Sequence, residues 1–163
     1  MTVKYGLLTA EDEWASEYEV YDFLYGLVRL LKPKVILETG CYKGGASRMM
    51  GEAARNNDIG SVVTCDTDPW MVGFTASLCK FLPVAIVQAS GLELIAKTKE
   101  VDLAFIDSSG DRVAEVQALN LAPNGVVVLH DAKRPQYQAI KTLRPWKAIW
   151  EIDTEQGITV FQS

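Results

Sequence analysis

The side chains best suited to chemistry in this sequence recur directly after short apolar runs. Glu38 follows Val35-Ile36-Leu37, Asp66 follows Ser61 to Cys65, and Ser90 comes soon after Val84 to Val87. Asp107 closes Val101 to Ile106, and His130-Asp131 close Gly125 to Leu129. Carboxylates so placed can accept hydrogen bonds from a pair of hydroxyls or help to hold a cation, and a histidine can exchange a proton near neutral pH. His130 is the only histidine in the chain. Between Glu38 and Gly45 runs an E-x-G-x-x-x-G turn in which Gly40 and Gly44 carry no side chain, so backbone can come close to a ligand. This spacing is neither the G-x-G-x-x-G of a dinucleotide turn nor the G-x-x-x-x-G-K-[ST] of a phosphate loop.

The elements that must position these groups alternate. Apolar residues at Val20, Phe23, Leu24, Leu27, Val28 and Leu31 have helical spacing and end at Lys32-Pro33, ahead of the first strand. A second helix follows Gly45 along Ala46, Met49, Met50, Ala53 and Ala54, until Asn56-Asn57-Asp58 breaks it. Pro69 opens a third, continued by Met71, Phe74, Leu78 and Phe81 and stopped by Pro83. Shorter helices are expected over 92–99, 111–121 and near 137–143, the second closed by Pro123-Asn124-Gly125. The tail reads as a hairpin of two strands, Ala148 to Ile152 and Ile158 to Phe161. Residues 1–16 show little beyond a helix start at Thr9. Strands alternating with helices imply right-handed crossovers and a parallel sheet covered on both faces. The expected fold is therefore an α/β, Rossmann-like doubly wound sheet of seven strands, mostly parallel with an antiparallel last strand. Residues 1–163 read as a single domain, with 1–32 a helical segment packing on it. In such a sheet the ligand sits outside the carboxyl ends of the strands, where the candidate residues gather.

Composition excludes several alternatives. The net charge is −5 and no basic cluster is longer than two residues, which argues against a nucleic-acid partner. Nothing approaches the length of a membrane span, and Met-Thr-Val-Lys-Tyr-Gly is no signal-peptide core, so a cytoplasmic location is expected. Cys41, Cys65 and Cys79 are odd in number and lack C-x-x-C spacing, against a disulfide framework or zinc site.

The order of motifs resembles the class I S-adenosylmethionine-dependent methyltransferases, in particular their small O-methyltransferase-type branch. The residues that carry the resemblance are Glu38 to Ser47, Cys65-Asp66-Thr67-Asp68-Pro69, Phe105-Ile106-Asp107 and Val128-Leu129-His130-Asp131. The resemblance implies that Gly40 and Gly44 lie against the methionine part of the cofactor, with Cys41 and Tyr42 offering backbone N–H groups. It implies that Asp66 accepts from the ribose hydroxyls, that Ser90 borders the adenine, and that Asp107 lies beside the sulfonium and the acceptor. Many relatives bind a divalent cation such as Mg²⁺ through the aspartate at 107 and two oxygen ligands after the fifth strand. Asp131 matches one of those ligands, but His130 and Ala132 depart from the pattern, which leaves the metal open and admits a softer ion. His130 is placed to remove a proton from a hydroxyl acceptor.

Each of these residues also has a plainer reading. His130 caps a strand end; Asp66 or Asp68 caps the Pro69 helix; Glu38 shapes the turn through loop amides or meets the cofactor's ammonium. Asp111 and Arg112 begin a solvated helix, Lys133 and Arg134 face solvent, and Trp14, Tyr18 and Tyr21 belong to a core or interface. Three functions compete: methylation of a small hydroxylated molecule, nicotinamide-dependent oxidoreduction, and a non-catalytic nucleoside-binding protein on the same fold. With no room for a lid domain, acceptor specificity falls to the first 20 residues, to Ser108–Arg112, to Ala132–Gln138, or to a neighbouring subunit of a homo-oligomer.

Overall fold

The computed structural model describes residues 15–163. The expected Thr9 helix start and Trp14 lie outside them. Helix α1 (Tyr18–Leu31) leads into β1 (Val35–Thr39), α2 (Gly45–Asn56), β2 (Ser61–Asp66), α3 (Pro69–Leu78), β3 (Val84–Gln88) and α4 (Gly91–Lys97). Then come β4 (Val101–Ile106), α5 (Arg112–Ala118), β5 (Leu121–His130), a 3-10 helix (Pro135–Thr142), β6 (Ala148–Ile152) and β7 (Ile158–Gln162). The strands form one seven-stranded sheet in the order β3-β2-β1-β4-β5-β7-β6, with β7 antiparallel to both of its neighbours. That is the doubly wound arrangement expected from the alternation of elements. Strand order reverses between β1 and β4, whose carboxyl ends therefore border a crevice.

Strand residues alternate between two cores. Ile36, Leu103, Phe105, Val126 and Val128 meet α1 and α2 on one face. Leu37, Ala104, Ile106, Val127 and Leu129 meet α4, α5 and Tyr137 and Ile140 of the 3-10 helix on the other. Both faces are covered, which explains why the strands read as unbroken apolar runs. Val20, Leu24 and Val28 of α1 are fully buried, each stabilising by about 1.5–3 kcal/mol.

Two elements differ from expectation. The helix expected over 111–121 ends at Ala118, and the chain is already extended at Leu119, with ψ 129°. Strand β5 then starts at Leu121, because Asn120 O accepts from Val101 N and Leu121 pairs with Val101. Pro123-Asn124-Gly125 lies inside that strand as an irregularity, with Asn124 at φ 63°, and does not precede it. Helix α3 stops at Leu78, and half of its expected apolar stripe faces outward: Met71 and Leu78 are half-buried, but Phe74 is half exposed, and Phe81 beyond the helix is 82% exposed. Thr75 turns inward in its place and donates to Tyr42 O at 2.9 Å, so the glycine turn, and not the stripe, sets the rotation of α3. None of the helices among the described residues is long and apolar enough to cross a membrane.

Candidate active site

The turn after β1 is held from three sides. Gly40 has φ +83°, and a Cβ there would sit 2.7 Å from Ser108 Cα, so only glycine lets the β1 and β4 loops touch. Gly40 N and Cys41 N both donate to Cys65 O, at 3.0 and 2.9 Å, tying the turn to the end of β2. Tyr42 N donates to Asp66 Oδ2 at 3.0 Å. Gly44, at φ +78°, precedes α2, and a Cβ on it would press into the Thr75 side chain. The Cys41 and Tyr42 amides, expected to face a ligand, are thus donated within the protein. Burial, the largest effect on it, pushes the Cys41 thiol up to about 12.

Behind this turn opens a cavity of about 680 Å³, within the range of small-molecule sites. Gly40, Tyr42, Asp66, Met71, Ala89, Ser90, Asp107, His130 and Asp131 all reach it. Asp66 accepts from Tyr42 N on one oxygen and from Asp68 N, also at 3.0 Å, on the other. Each oxygen keeps a second lone pair, enough for a diol. Asp68, not Asp66, caps α3 by accepting from Trp70 N at 2.8 Å. The Ser90 hydroxyl is engaged in a capping box with Glu93, so at the cavity edge Ser90 offers surface more than a free hydroxyl.

Two buried acids lie beneath the rim. Glu38 is fully buried; Oε2 accepts from the Ser47 hydroxyl and Oε1 has no hydrogen bond among the described residues. Thr64, its partner across β1 and β2, is near enough to ease the charge but is not aligned for a hydrogen bond. Burial raises the Glu38 carboxyl to about 7, against the pull of Ser47. A second, small cavity between Glu38, Ser16, Tyr21 and Phe105 opens beside it. Glu115 accepts from Thr39 Oγ1 at 2.8 Å and from Ser108 Oγ at 2.6 Å, and burial raises it too.

The end of β5 carries a chain of alternating charges. His130 Nε2 lies 2.7 Å from Glu17 Oε2, and Nδ1 lies 2.9 Å from Asp107 Oδ1. Burial alone would lower the imidazole, but the two carboxylates outweigh it and raise it to about 10. Glu17 also accepts from Gln156 N at 2.7 Å and Thr154 Oγ1 at 3.1 Å; these bonds and His130 overcome its burial and hold it near 2. Arg112 Nη2 then bridges Asp107 Oδ1 at 3.1 Å and Asp131 Oδ2 at 3.0 Å, and Arg134 reaches the same Asp131 oxygen at 3.2 Å.

Sequence reasoning passed over two members of this network. Glu17 lies 113 residues from His130, and no local pattern announces it. Arg112, expected on a solvated helix, is 5% exposed. Its signal was an arginine just inside a helix start in the rim loop; Asp111 does cap that helix, through Val113 N and Ala114 N. Lys133 and Arg134 are about half exposed, as expected.

Asp107, His130 and Asp131 each turn one potential ligand atom inward, all within 4.8 Å of one another. They do not fit a divalent cation. A Mg²⁺ ion takes oxygen ligands at about 2.0–2.1 Å in an octahedron. Here one guanidinium nitrogen already lies against both carboxylates, His130 has a carboxylate on each nitrogen, and Ala132 supplies no side-chain oxygen.

The sheet order, the reversed last strand and the glycine turn facing an acid at the end of β2 define the class I methyltransferase fold. Residues 37–132, more than half of the chain, match a family model described as a methyltransferase domain, and the chain belongs to that family. Among solved structures, an S-adenosylhomocysteine-bound methyltransferase from Podospora anserina, PaMTH1, superposes with a TM-score of 0.77 at 19% identity, covering 95% of this chain and 82% of that one. A precorrin-6y C5,15-methyltransferase from Geobacter metallireducens gives 0.79 at 16% identity, covering 99% and 97%. A putative caffeoyl-CoA O-methyltransferase from Staphylococcus aureus gives 0.74 at 18%, covering 91% and 84%. No curated protein sequence matches the chain.

Proposed function

We propose that this protein is an S-adenosylmethionine-dependent methyltransferase that O-methylates a small hydroxylated molecule. The observation that carries the reading is Asp66: a half-buried carboxylate at the end of β2, on the cavity wall with Gly40, with a lone pair to spare on each oxygen. Glu38 Oε1, buried without a partner beside the small second cavity, suits an ammonium group. Gly40 and Tyr42 shape the wall along the same molecule, Cys41 and Gly44 hold the turn from behind, and Ala89 and Ser90 border a flat ring by contact. When bound, the cofactor supplies an electrophilic methyl group on a sulfonium.

The chain's own task is then alignment and proton removal, and positioning of this kind contributes up to roughly 7–11 kcal/mol. Asp107 Oδ2 accepts the Ser16 hydroxyl at 2.9 Å, and an acceptor hydroxyl that replaces Ser16 would pass its proton to this oxygen. His130 serves as a fixed imidazolium that orients Asp107, since both of its nitrogens are engaged. Asp131 holds Arg112 against the other side of Asp107. A second reading, nucleoside binding without turnover, draws on Ser16 and Glu17 closing over Asp107 and His130.

Calorimetric titration tests the proposal. S-adenosylmethionine and S-adenosylhomocysteine should bind the wild type with one site per chain, and Asp66→Ala should weaken both by at least about tenfold, the loss of one or two charge-assisted hydrogen bonds. Unchanged affinity in that variant removes Asp66 from the ribose. Binding with no methyl transfer across a broad panel of hydroxylated acceptors favours the second reading.

A further inference from the structure

All three nitrogens of the Arg112 side chain have partners. Its Nε donates to Ser108 O at 2.6 Å and its Nη1 to His130 O at 2.8 Å, which joins the loop after β4 to the end of β5. Its Nη2 lies between Asp107 Oδ1 and Asp131 Oδ2. The Tyr137 ring packs 5.2 Å from the guanidinium carbon, and the side chain is 6% exposed. A guanidinium is always charged and presents its donors in a rigid fork, so it can neutralise two carboxylates and satisfy two carbonyls at once. Buried Asp131 and half-buried Asp107 lie this close together with a cation to offset their charges.

We propose that Arg112 is that cation: a resident guanidinium occupies the position a divalent metal would need, and the site works without a metal ion. Glu17, Asp107 and Asp131 supply three negative charges, and His130, Arg112 and Arg134 supply three positive ones. The network is balanced as it stands. An added divalent ion would have to expel the guanidinium from two carboxylates and leave Ser108 O and His130 O without their donor. With no ion to share, the acceptor needs a single ionisable hydroxyl and not a pair of adjacent oxygens. Arg112 is a positioning residue, since it acts through Asp107. What it implies for the reaction rests on the methyltransferase reading, but occupancy of the cation position does not.

The test is a Mn²⁺ titration of the protein without cofactor, followed by the paramagnetic resonance of free Mn²⁺ and by calorimetry, on wild type, Asp131→Asn, Arg112→Ala and Arg112→Met. The wild type is expected to take up no Mn²⁺ that Asp131→Asn abolishes. Arg112→Ala should gain one Mn²⁺ site per chain, at least about tenfold tighter than any in the wild type and lost again when Asp131→Asn is added. Arg112→Met, which keeps length without charge, serves where the alanine variant does not fold. A wild-type Mn²⁺ site that Asp131→Asn removes overturns the proposal. So does a folded Arg112 variant that gains no site, because something other than the guanidinium then keeps the ion out. Failure of the cofactor titration, by contrast, would leave this result standing and sink only the methyltransferase reading.

Discussion

His130 offers the sharpest test of the charge network, because it is the only histidine and its imidazole can be observed alone. Its value in the folded chain is about 10, against 6.5 for the ordinary group, because Asp107 and Glu17 overcome its burial. A raised base contributes stability in full below 6.5, and that contribution is lost as pH climbs to about 10. At about 1.4 kcal/mol per pH unit the interval sets a ceiling of about 5 kcal/mol, and relaxation of a buried pair brings the expectation to about 2–3 kcal/mol. For a domain of this size that corresponds to a fall in Tm of about 5–10 °C between pH 6.5 and 9.5. The three buried cysteines, whose thiols are all raised, also release protons on unfolding above about pH 9 and steepen the curve. His130→Gln keeps the thiols and removes the imidazole, so the comparison of the two slopes isolates the histidine. The variant should start lower, with Glu17 and Asp107 facing each other without the imidazolium between them, and should fall less steeply. Parallel slopes, or an imidazole resonance titrating near 6.5 in the folded wild type, would refute the reasoning.

Two further substitutions test the turn and the buried acid. Gly40→Ala forces a side chain into φ +83° and within 2.7 Å of Ser108 Cα, and should destabilise by about 2–5 kcal/mol. Gly73→Ala, with nothing within 4 Å, is the control, and equal melting temperatures for the two variants would contradict the account of the turn. Glu38→Gln removes a charge that burial disfavours. A carboxyl raised to about 7 costs stability above that value, and the cost fades as pH falls toward 4.5. The variant should therefore melt no lower than wild type at pH 8, and its relative advantage should shrink at pH 5.5. It should bind S-adenosylhomocysteine at least about tenfold more weakly, having lost the orphan Oε1 charge. A clear loss of stability at pH 8 would show that the carboxylate is structural.

Much of the architecture was legible along the chain because it depends on neighbours in sequence. Apolar runs closed by acids marked the strands, Pro69 and Asp68 marked a helix start, and the E-x-G-x-x-x-G spacing marked a turn that only glycine can make at Gly40. Those short-range rules place Asp66, Asp107 and Asp131 on one rim, with Glu38 buried beneath it. They failed where cross-strand pairing outweighs local preference. Leu121 extends to pair with Val101, and Thr75 turns inward to meet Tyr42 while Phe74 and Phe81 are left outside.

What the rim does with its charges could not be read from order alone. Whether His130 is a base or a fixed cation depends on Glu17, brought to it from the start of α1, and on Asp107 across a strand pair. Whether Asp107 and Asp131 await a metal depends on where Arg112 points once α5 is packed. Ionisation energies follow separation through space and exclusion of water, and both exist only after the chain has folded. The sequence by itself determined which groups stand at the edge of the sheet; the tertiary structure decided their protonation and their partners.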